Sequence, residues 1–233
     1  MSLLDAVIAT GPLPDNDVKQ AQKKRYSEIL SSHLAVEVAE GLRVVGFPNV
    51  KPARGGPGEK AFQGGLGPKK IDVAYADELH GLLLAVSIKT INFAPFGKNL
   101  KNRFADLCTE AITLHMRFPY AVVCAVFAFP VAADEDVTQN RVVSTFRRAT
   151  KLMATISGRQ EYTGPDEKFE NVTMMLFQPV VDGGPAPWVK LIDAKLQREM
   201  TEQEYFLMLR EIYNTRNPHA IIGEENDGNG EEE

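Results

Sequence analysis

The spacing of hydrophobic residues divides the chain into helices and strands. Apolar side chains recur every three or four residues over 20–42 and over 99–118, which predicts two amphipathic helices. Residues 120–130 are continuously apolar and rich in β-branched and aromatic side chains, so we expect a strand that is covered on both faces. Further strands are predicted at 42–50, 71–75, 82–88, 171–181 and 188–192, and a helix with a capping-box start at 201–214. The pattern therefore predicts a mixed α/β sheet flanked by helices.

Two pairs of these strands are expected to form β-hairpins. Residues with turn chemistry join 71–75 to 82–88, and a glycine- and proline-rich turn joins 171–181 to 188–192. A longer stretch at 51–68 contains six glycines and three prolines, which predicts a mobile loop without a regular element. Its positive charge would allow it to clamp a DNA backbone, and an ordinary linker is the alternative. The basic residues in and after this stretch are Arg54, Lys60, Lys69 and Lys70.

A second basic region lies at 137–160. It contains five basic residues and no acidic one, and its apolar residues recur with helical spacing. We therefore expect a helix whose outer face contacts phosphates through residues such as Arg147, Arg148 and Lys151. A solvated basic helix without a ligand is the alternative.

Two charged residues stand where the strands are otherwise apolar. Asp72 lies inside the first strand of the first hairpin, and Lys89 ends the second strand. Both side chains are costly to bury unpaired, so we expect them to converge at one end of the hairpin. They suit phosphodiester hydrolysis, because a metal held by the carboxylate polarises phosphate while the lysine orients water or stabilises charge. A structural ion pair across the hairpin is the alternative.

These residues carry a resemblance to a known family. The order of Asp72, a variable hairpin and Ser87-Ile88-Lys89 resembles the motif of the PD-(D/E)XK nuclease superfamily. The residues around this motif also resemble that superfamily, with Gly-Pro-Lys-Lys-Ile-Asp at the first acid and Ile-Lys-Thr after the second strand. The resemblance implies a restriction-endonuclease-like αβββαβ core over roughly residues 21–130. It also implies that Asp72 and the Ile88 carbonyl bind Mg²⁺, or Mn²⁺ in its place, and that Lys89 positions the attacking water.

The chain departs from the superfamily pattern at Ser87, where a second acid is usual. A single carboxylate holds Mg²⁺ poorly. Some restriction enzymes of the superfamily carry serine or cysteine here and recruit a glutamate from the following helix, which implies Glu110 or Asp106. We favour Glu110, which has small neighbours, and expect Ser87 to line the site. A surface ion-pair ladder that includes Arg103 is the alternative for the helix residues.

One further metal ligand and a set of nucleic-acid contacts complete the candidate residues. In the resembling superfamily a glutamate of the first helix sometimes reaches the metal, which implies Glu37. A solvated helix position is the alternative. The candidate contacts to nucleic acid are Lys69, Lys70, Arg103, Arg147, Arg148 and Lys151.

The composition is that of one ordinary globular domain. A chain of 233 residues with 44% hydrophobic content can bury a substantial core. We expect an N-terminal arm at 1–20, a single nuclease-like domain at 21–222 and an acidic disordered tail at 223–233. The net charge of −5 argues against a nucleic-acid partner, but the tail contains six acids and no base, so residues 1–222 carry +1.

Other features bear on the location of the protein. No apolar run reaches the roughly 18 residues needed to span a bilayer, and the start of the chain lacks the basic region of a signal peptide. The two cysteines lie in apolar surroundings, which indicates buried thiols and a reducing compartment. We therefore expect a cytoplasmic protein without membrane contact.

The expected function is cleavage of DNA by a divalent-metal-dependent endonuclease. By analogy with restriction enzymes we also expect a homodimer, because two active sites are needed to cut two strands. Two other functions stay open at this point. The chain could be an inactive nuclease fold that binds nucleic acid or protein, which Ser87 favours. It could also be a metal-free interaction protein in which Asp72 and Lys89 form a structural pair.

Overall fold

The computed structural model of the chain describes residues 2–56 and 58–223. The helices are α1 (Leu3–Thr10), α2 (Gln20–Val44), α3 (Leu100–His115), α4 (Ala132–Glu135), α5 (Thr145–Met153) and α6 (Glu202–Arg216). The strands are β1 (Lys60–Gly64), β2 (Gly67–Ile71), β3 (Val73–Asp77), β4 (Gly81–Thr90), β5 (Val122–Pro130), β6 (Asn171–Gln178), β7 (Trp188–Asp193) and β8 (Glu199–Met200). A 3₁₀ helix at Phe96–Asn99 leads into α3.

Six of the strands form one mixed sheet in the order β3-β4-β5-β6-β7-β8. The three central strands β4, β5 and β6 run parallel to one another. The outer strands are antiparallel, β3 to β4, β7 to β6 and β8 to β7. β1 and β2 form a separate two-stranded hairpin. The mixed α/β fold predicted from the sequence is therefore confirmed.

Different helices cover the two faces of the sheet. α1, α2 and α6 pack on one face, and α3 and α5 pack on the other. Alternate residues of β4 belong to opposite cores, with Val86 and Ile88 on the α2 face and Ala85 on the α3 face. The same alternation places Ser87 and Lys89 on the α3 face of the sheet.

Most of the predicted elements are confirmed, with bounds that differ by a few residues. The helices predicted at 20–42 and 99–118 are α2 and α3. The buried strand predicted at 120–130 is β5, in which every residue is buried. Both predicted hairpins form, as β3–β4 and β6–β7. α6 begins at the predicted capping box, in which Thr201 and Glu204 each accept a hydrogen bond from the other residue's amide.

The prediction of a strand at 42–50 is wrong. α2 continues to Val44, and the residues after it form turns that include Gly46 and Asn49. Both residues have positive φ, 103° and 54°, which a β-strand does not accommodate. The apolar residues Phe47 and Val50 are buried in the core on the α2 face without belonging to a strand.

The prediction of an irregular loop over 51–68 is wrong from Lys60 onward, where the β1–β2 hairpin begins. The hairpin docks on α3, because the Gly65 amide donates a hydrogen bond to the Thr113 carbonyl over 2.8 Å. Gly64 is required at this contact, since a Cβ atom there would lie 2.4 Å from the Thr113 side chain. Glycines that suggested a loop therefore allow two elements to approach closely.

The basic helix predicted at 137–160 is shorter than expected. In this stretch the helix is limited to α5, which Ser144 caps at its N-terminus. The residues before it are tied to an acidic turn, because Asp136 pairs with Arg141 over 2.9 Å and accepts a hydrogen bond from the Thr145 amide over 2.7 Å. These side-chain contacts replace the helical hydrogen bonds that the apolar spacing had suggested.

The two ends of the chain are described to different extents. α1 buries Leu3, Ala6 and Val7 in the core on the α2 face. The tail predicted at 223–233 lies outside the described residues, apart from Gly223. Within the described residues, no helix has both the length and the apolar character needed to cross a membrane.

Candidate active site

Asp72 lies at the bend between β2 and β3, beside the end of β4. Its Oδ2 atom accepts a hydrogen bond from the Ile88 amide over 2.6 Å, and 18% of its side chain is exposed. Burial raises the pKa of Asp72 to about 6, although Lys89 and the Ile88 amide act in the opposite direction. The carboxylate therefore has too little positive charge nearby to compensate for its burial.

Lys89 connects Asp72 to a second carboxylate. Its ammonium donates hydrogen bonds to Ser87 Oγ over 2.8 Å and to Glu110 Oε2 over 3.1 Å. The same nitrogen lies 3.9 Å from Asp72 Oδ2. The structure therefore brings Asp72 and Lys89 together as predicted, although Asp72 lies at a bend and not inside a strand, and it adds Glu110 to them.

Glu110 lies on the third turn of α3, and its side chain is only 1% exposed. Its Oε2 atom also lies 2.9 Å from the Lys69 ammonium. Burial alone would raise the pKa of Glu110, but Lys89, Lys69 and a hydrogen bond with Ser87 outweigh burial, and the pKa lies below its usual value. Glu110 is therefore an ionised, buried carboxylate held between two lysines.

Lys69 belongs to this cluster, although the glycine-rich sequence around it suggested only a loop that contacts nucleic acid. Exposure alternates along β2, so that Lys69 and Ile71 face α3 while Lys70 faces solvent. Lys70 pairs loosely with Glu59, over 3.8 Å. Lys69 lies two positions before the apolar Ile71, and this spacing is typical of residues on one face of a strand. That pattern could have identified Lys69 from the sequence.

Two other candidate carboxylates lie elsewhere. Asp106 is half-exposed and pairs with Arg103 over 3.2 Å, so the two residues form the surface ion pair that was the alternative prediction for them. Glu37 is buried, and its Oε1 atom accepts a hydrogen bond from Arg54 over 2.7 Å. It does not line the cavity onto which Asp72 opens. The structure thus brings Glu110, and neither of these two acids, to Lys89.

Asp72, Ile88 and Lys89 line an open cavity of about 1060 Å³. One face of α2 forms one wall, the segment 90–103 forms the other, and residues 52–56 and 58–59 contribute at one end. The other basic residues around the cavity are Lys23, Lys24, Lys98 and Arg103. Cations on both walls make this cavity suited to a ligand that carries phosphates.

Asn92 lines the same cavity and has an incomplete set of hydrogen bonds. It is 4% exposed, and its amide nitrogen donates to Ser27 Oγ over 2.9 Å and to Thr90 Oγ1 over 3.1 Å. No hydrogen-bond donor among the described residues reaches its Oδ1 atom. A buried carbonyl without a donor is costly, so a ligand that donates here would offset part of that cost. The sequence places Asn92 in a loop and contains no signal for this role.

The basic residues of α5 lie away from Asp72. Arg147 and Lys151 line a separate cavity of about 540 Å³, and Lys190 lies on the same cavity. Arg147 also lies 3.4 Å from Asp134, and Arg148 is exposed. The predicted nucleic-acid contacts are therefore not on one surface. Arg103 lines the Asp72 cavity and α5 borders the second cavity, whereas Lys69 and Lys70 lie on β2 and line neither cavity.

A buried ion cluster anchors the end of α3, the helix that carries Glu110. Glu170 lies 3.4 Å from His115, the last residue of α3, and 3.0 Å from each of Arg159 and Arg216. Burial would raise the pKa of Glu170, but His115 and Arg216 help to outweigh it, and the pKa lies below its usual value. The cluster joins the C-terminal end of α3 to α6 and to the segment before β6. It therefore helps to fix the position of α3 and of Glu110, which α3 carries.

The ligands available for a metal are oxygen atoms. Mg²⁺ is usually held by one or two protein carboxylates with water completing its shell, and Asp72 and Glu110 provide two. In the described parts of the chain, no three His, Cys, Asp or Glu side chains form a group that could hold a metal ion. A cation here would depend on these two carboxylates, the Ile88 carbonyl and water. The raised pKa of Asp72 fits this role, because a cation would supply the positive charge that the carboxylate lacks.

The candidate active site therefore consists of Asp72, Lys89 and Glu110, with Ser87 and Lys69 in contact with them. Two strands, one bend and one helix supply these side chains, and the cavity beside α2 opens onto Asp72 and Lys89. The chain was compared with protein-family models, with curated proteins and with solved structures, and none of the three comparisons found a match.

Proposed function

We propose that this protein is a divalent-metal-dependent endonuclease that hydrolyses phosphodiester bonds in DNA and is built on a restriction-endonuclease-like core. The observation that carries the proposal is the position of the Lys89 ammonium, 3.9 Å from Asp72 and 3.1 Å from Glu110. The order of α2, the β3–β4 hairpin, α3 and the parallel strand β5 supports the proposed core. The open cavity with cations on both walls supports a substrate that carries phosphates.

Each residue of the site has a distinct role in this proposal. Asp72 and Glu110 hold Mg²⁺, or Mn²⁺ in its place, with the Ile88 carbonyl as a further ligand. The bound cation supplies a Lewis acid for the phosphate and lowers the pKa of water. Lys89 donates a hydrogen bond to the attacking water or to the charge that develops on the phosphate. Ser87 keeps the Lys89 ammonium in position by accepting its hydrogen bond over 2.8 Å.

The second candidate function is binding of nucleic acid or protein by a nuclease fold without activity. The contacts of Glu110 favour it, because a carboxylate that already has two ammonium partners is satisfied without a metal. The serine at position 87, where the superfamily usually has an acid, favours it as well. The two functions differ in one measurable property, which is cleavage that depends on a metal.

The first experiment is cleavage of supercoiled plasmid and of single-stranded DNA by the purified protein. Each reaction is run with Mg²⁺, with Mn²⁺ and with EDTA, for the wild type and for Asp72→Ala, Lys89→Ala and Asp106→Ala. We expect nicking with either metal and none with EDTA. Lys89→Ala should lower the rate by at least about 100-fold, the usual loss when a group that stabilises the transition state is removed.

Asp106→Ala is the matched control, because Asp106 is an acid on the same helix as Glu110 but does not contact Lys89. Its cleavage rate should stay close to that of the wild type. Circular dichroism and thermal melting of each variant separate a loss of activity from a loss of folding. Folded Lys89→Ala protein that cleaves at the wild-type rate would contradict the proposed function, and absence of cleavage by the wild type with both metals would favour the binding function.

A further inference from the structure

We propose that Lys69 is a mobile counter-ion of the metal site, which neutralises Glu110 in the metal-free protein and turns to the substrate phosphate when a cation binds Glu110. This inference rests on the proposed function and adds a fourth side chain to the site. It would make Lys69 a catalytic residue, because its ammonium would contact the substrate in the loaded state.

Lys69 and Lys89 both contact the same oxygen atom of Glu110. The Lys69 and Lys89 ammonium groups lie 2.9 Å and 3.1 Å from Oε2, and the side chain of Glu110 is 1% exposed. A divalent cation on this oxygen would be placed within a few ångströms of two positive charges. Because like charges at such distances repel strongly in a buried site, at least one lysine has to leave when the cation binds.

Lys69 is the lysine that would leave, because it has fewer other partners than Lys89 and is more exposed. Lys89 keeps two other partners near it, Ser87 Oγ at 2.8 Å and Asp72 Oδ2 at 3.9 Å. In the described residues, Glu110 is the one acid with which Lys69 forms an ion pair. The side chain of Lys69 is 33% exposed, compared with 17% for Lys89, so Lys69 has the more open path away from Glu110.

The Lys69 ammonium would stay close to the site after it leaves Glu110. The backbone of Lys69 stays in place, because β2 pairs with β1 and their connecting turn is hydrogen-bonded to α3 through Gly65 and Thr113. The lysine side chain has four rotatable carbon–carbon bonds, so its ammonium can turn away from Glu110 while the backbone stays in place. A phosphate bound at Glu110 through the cation would attract it.

The charge of the site supports the same conclusion. With both carboxylates ionised, Asp72, Glu110, Lys69 and Lys89 sum to zero, so the metal-free cluster is neutral. Addition of a divalent cation raises the sum to +2. Attack of hydroxide on a phosphodiester produces a transition state with two negative charges, which a site of this charge stabilises. Replacement of Lys69 by a neutral residue would lower the total charge of the metal-bound cluster to +1.

The test uses Lys69→Met, with Lys70→Met as the matched control. Methionine keeps most of the aliphatic stem of lysine and removes its charge, and Lys70 is the neighbouring lysine that faces solvent. The affinity for Mn²⁺ is measured by electron paramagnetic resonance without DNA. The cleavage rate is measured separately, on supercoiled plasmid at saturating Mn²⁺.

We expect opposite effects of Lys69→Met on the two measurements. Binding of Mn²⁺ should become about three- to tenfold tighter, because a competing positive charge has been removed. Cleavage at saturating Mn²⁺ should become about 10- to 100-fold slower, because a cation that contacts the phosphate is missing. Lys70→Met is the control for the affinity measurement and should change the Mn²⁺ affinity by less than about twofold, because Lys70 is largely exposed.

The outcomes separate this inference from the proposed function. If the wild type binds Mn²⁺ and cleaves while Lys69→Met binds Mn²⁺ no more tightly, or cleaves as fast, the inference is overturned and the proposed function stands. If the wild type binds no Mn²⁺, both are overturned. If the wild type binds Mn²⁺ without cleaving, the proposed function is overturned together with the phosphate contact assigned to Lys69.

Discussion

At the scale of single residues, Asp72 shows a conflict between stability and the proposed chemistry. Burial raises the pKa of this carboxyl to about 6 in the folded protein, above the value of 3.8 for an unperturbed Asp. The folded state therefore binds a proton at Asp72 more tightly than the unfolded state does. In consequence, the contribution of Asp72 to folding becomes less favourable as the pH rises from about 4 to 6, and it remains unfavourable above that range.

Asp72→Asn should therefore be more stable than the wild type at neutral and higher pH. Asparagine retains an oxygen that accepts the hydrogen bond from the Ile88 amide, and it carries no charge to bury. We expect the free energy of unfolding at about pH 8 to rise by about 1–3 kcal/mol, and the gain at about pH 4.5 to shrink to roughly a third of that. Urea denaturation followed by circular dichroism at the two pH values measures both gains.

Asp106→Asn is the control for this measurement, because Asp106 is half-exposed and pairs with Arg103 at the surface. Its free energy of unfolding should change by less than about 0.5 kcal/mol at either pH. A decrease in stability for Asp72→Asn at pH 8 would contradict the argument, since it would mean that Lys89 and the Ile88 amide outweigh the cost of burying the charge. The expected gain in stability would accompany a loss of cleavage, as is common at active sites.

At the scale of elements, the sequence was informative where a residue type conflicted with its element. Asp72 and Lys89 could be identified because each interrupts or ends an apolar run of strand-forming residues, where charged residues are rare. The choice between Glu110 and Asp106 depends on how α3 is rotated about its axis, and the sequence alone left that choice to the size of neighbouring residues. In the structure Glu110 faces the sheet, whereas Asp106 lies one turn earlier and faces solvent.

The contact of Lys69 with Glu110 and the position of Asn92 beside the cavity could not be predicted, because both depend on contacts between segments distant in sequence. Lys69 reaches Glu110 only because the β1–β2 hairpin docks on α3. Asn92 is oriented by Ser27 of α2, which lies 65 positions earlier in the chain. The prediction of a strand at 42–50 was wrong for a related reason. The apolar residues there are buried in the core, and their spacing does not distinguish a strand from a helix end followed by a turn.

The docking of the β1–β2 hairpin can be tested through Gly64. A Cβ atom at this position would lie 2.4 Å from Thr113 Cγ2 and 2.8 Å from the Thr113 carbonyl oxygen, and the backbone cannot yield without moving the hairpin. We expect Gly64→Ala to lower the free energy of unfolding by about 1–3 kcal/mol. It should also slow cleavage, because movement of β2 carries Lys69 away from Glu110. Thermal melting and the plasmid assay measure the two effects.

Gly97→Ala is the matched control for the hairpin. Its Cβ atom would meet only the Thr145 hydroxyl, at 3.8 Å, which is an ordinary contact distance. Its stability and its cleavage rate should both stay near those of the wild type. Equal stability of Gly64→Ala and Gly97→Ala would indicate that the hairpin is not held against α3 in solution.

At the scale of the whole molecule, the structure contains two separate basic surfaces, and the sequence could not predict which of them binds DNA. One surface borders the Asp72 cavity and includes Lys98 and Arg103. The other lies on α5 and includes Arg148 and Lys151. Only the first surface adjoins the candidate active site, so the proposed function requires DNA to bind there. The homodimer predicted by analogy would place two such cavities on one duplex, and it stays a prediction.

The salt dependence of DNA binding shows which of these two surfaces contacts the DNA backbone. The double variants Lys98→Ala/Arg103→Ala and Arg148→Ala/Lys151→Ala remove the same charge from exposed positions, so a general effect of net charge would be equal in both. Each phosphate contact that is lost lowers the slope of log K against log salt by about 0.7–0.9. We therefore expect the first variant to lower the slope by about 1.5, and the second to leave it unchanged.

Fluorescence anisotropy with labelled single-stranded and duplex DNA, in EDTA so that no cleavage occurs, measures the slope between about 50 and 300 mM NaCl. A lower slope for the α5 variant alone would mean that DNA binds on the surface remote from Asp72. A phosphate backbone bound there would not approach Lys89, and the basic surface on α5 would then belong to a binding protein whose Asp72 cavity serves another ligand. A lower slope for the cavity variant alone would place the backbone beside Asp72 and Lys89, where hydrolysis requires it to be.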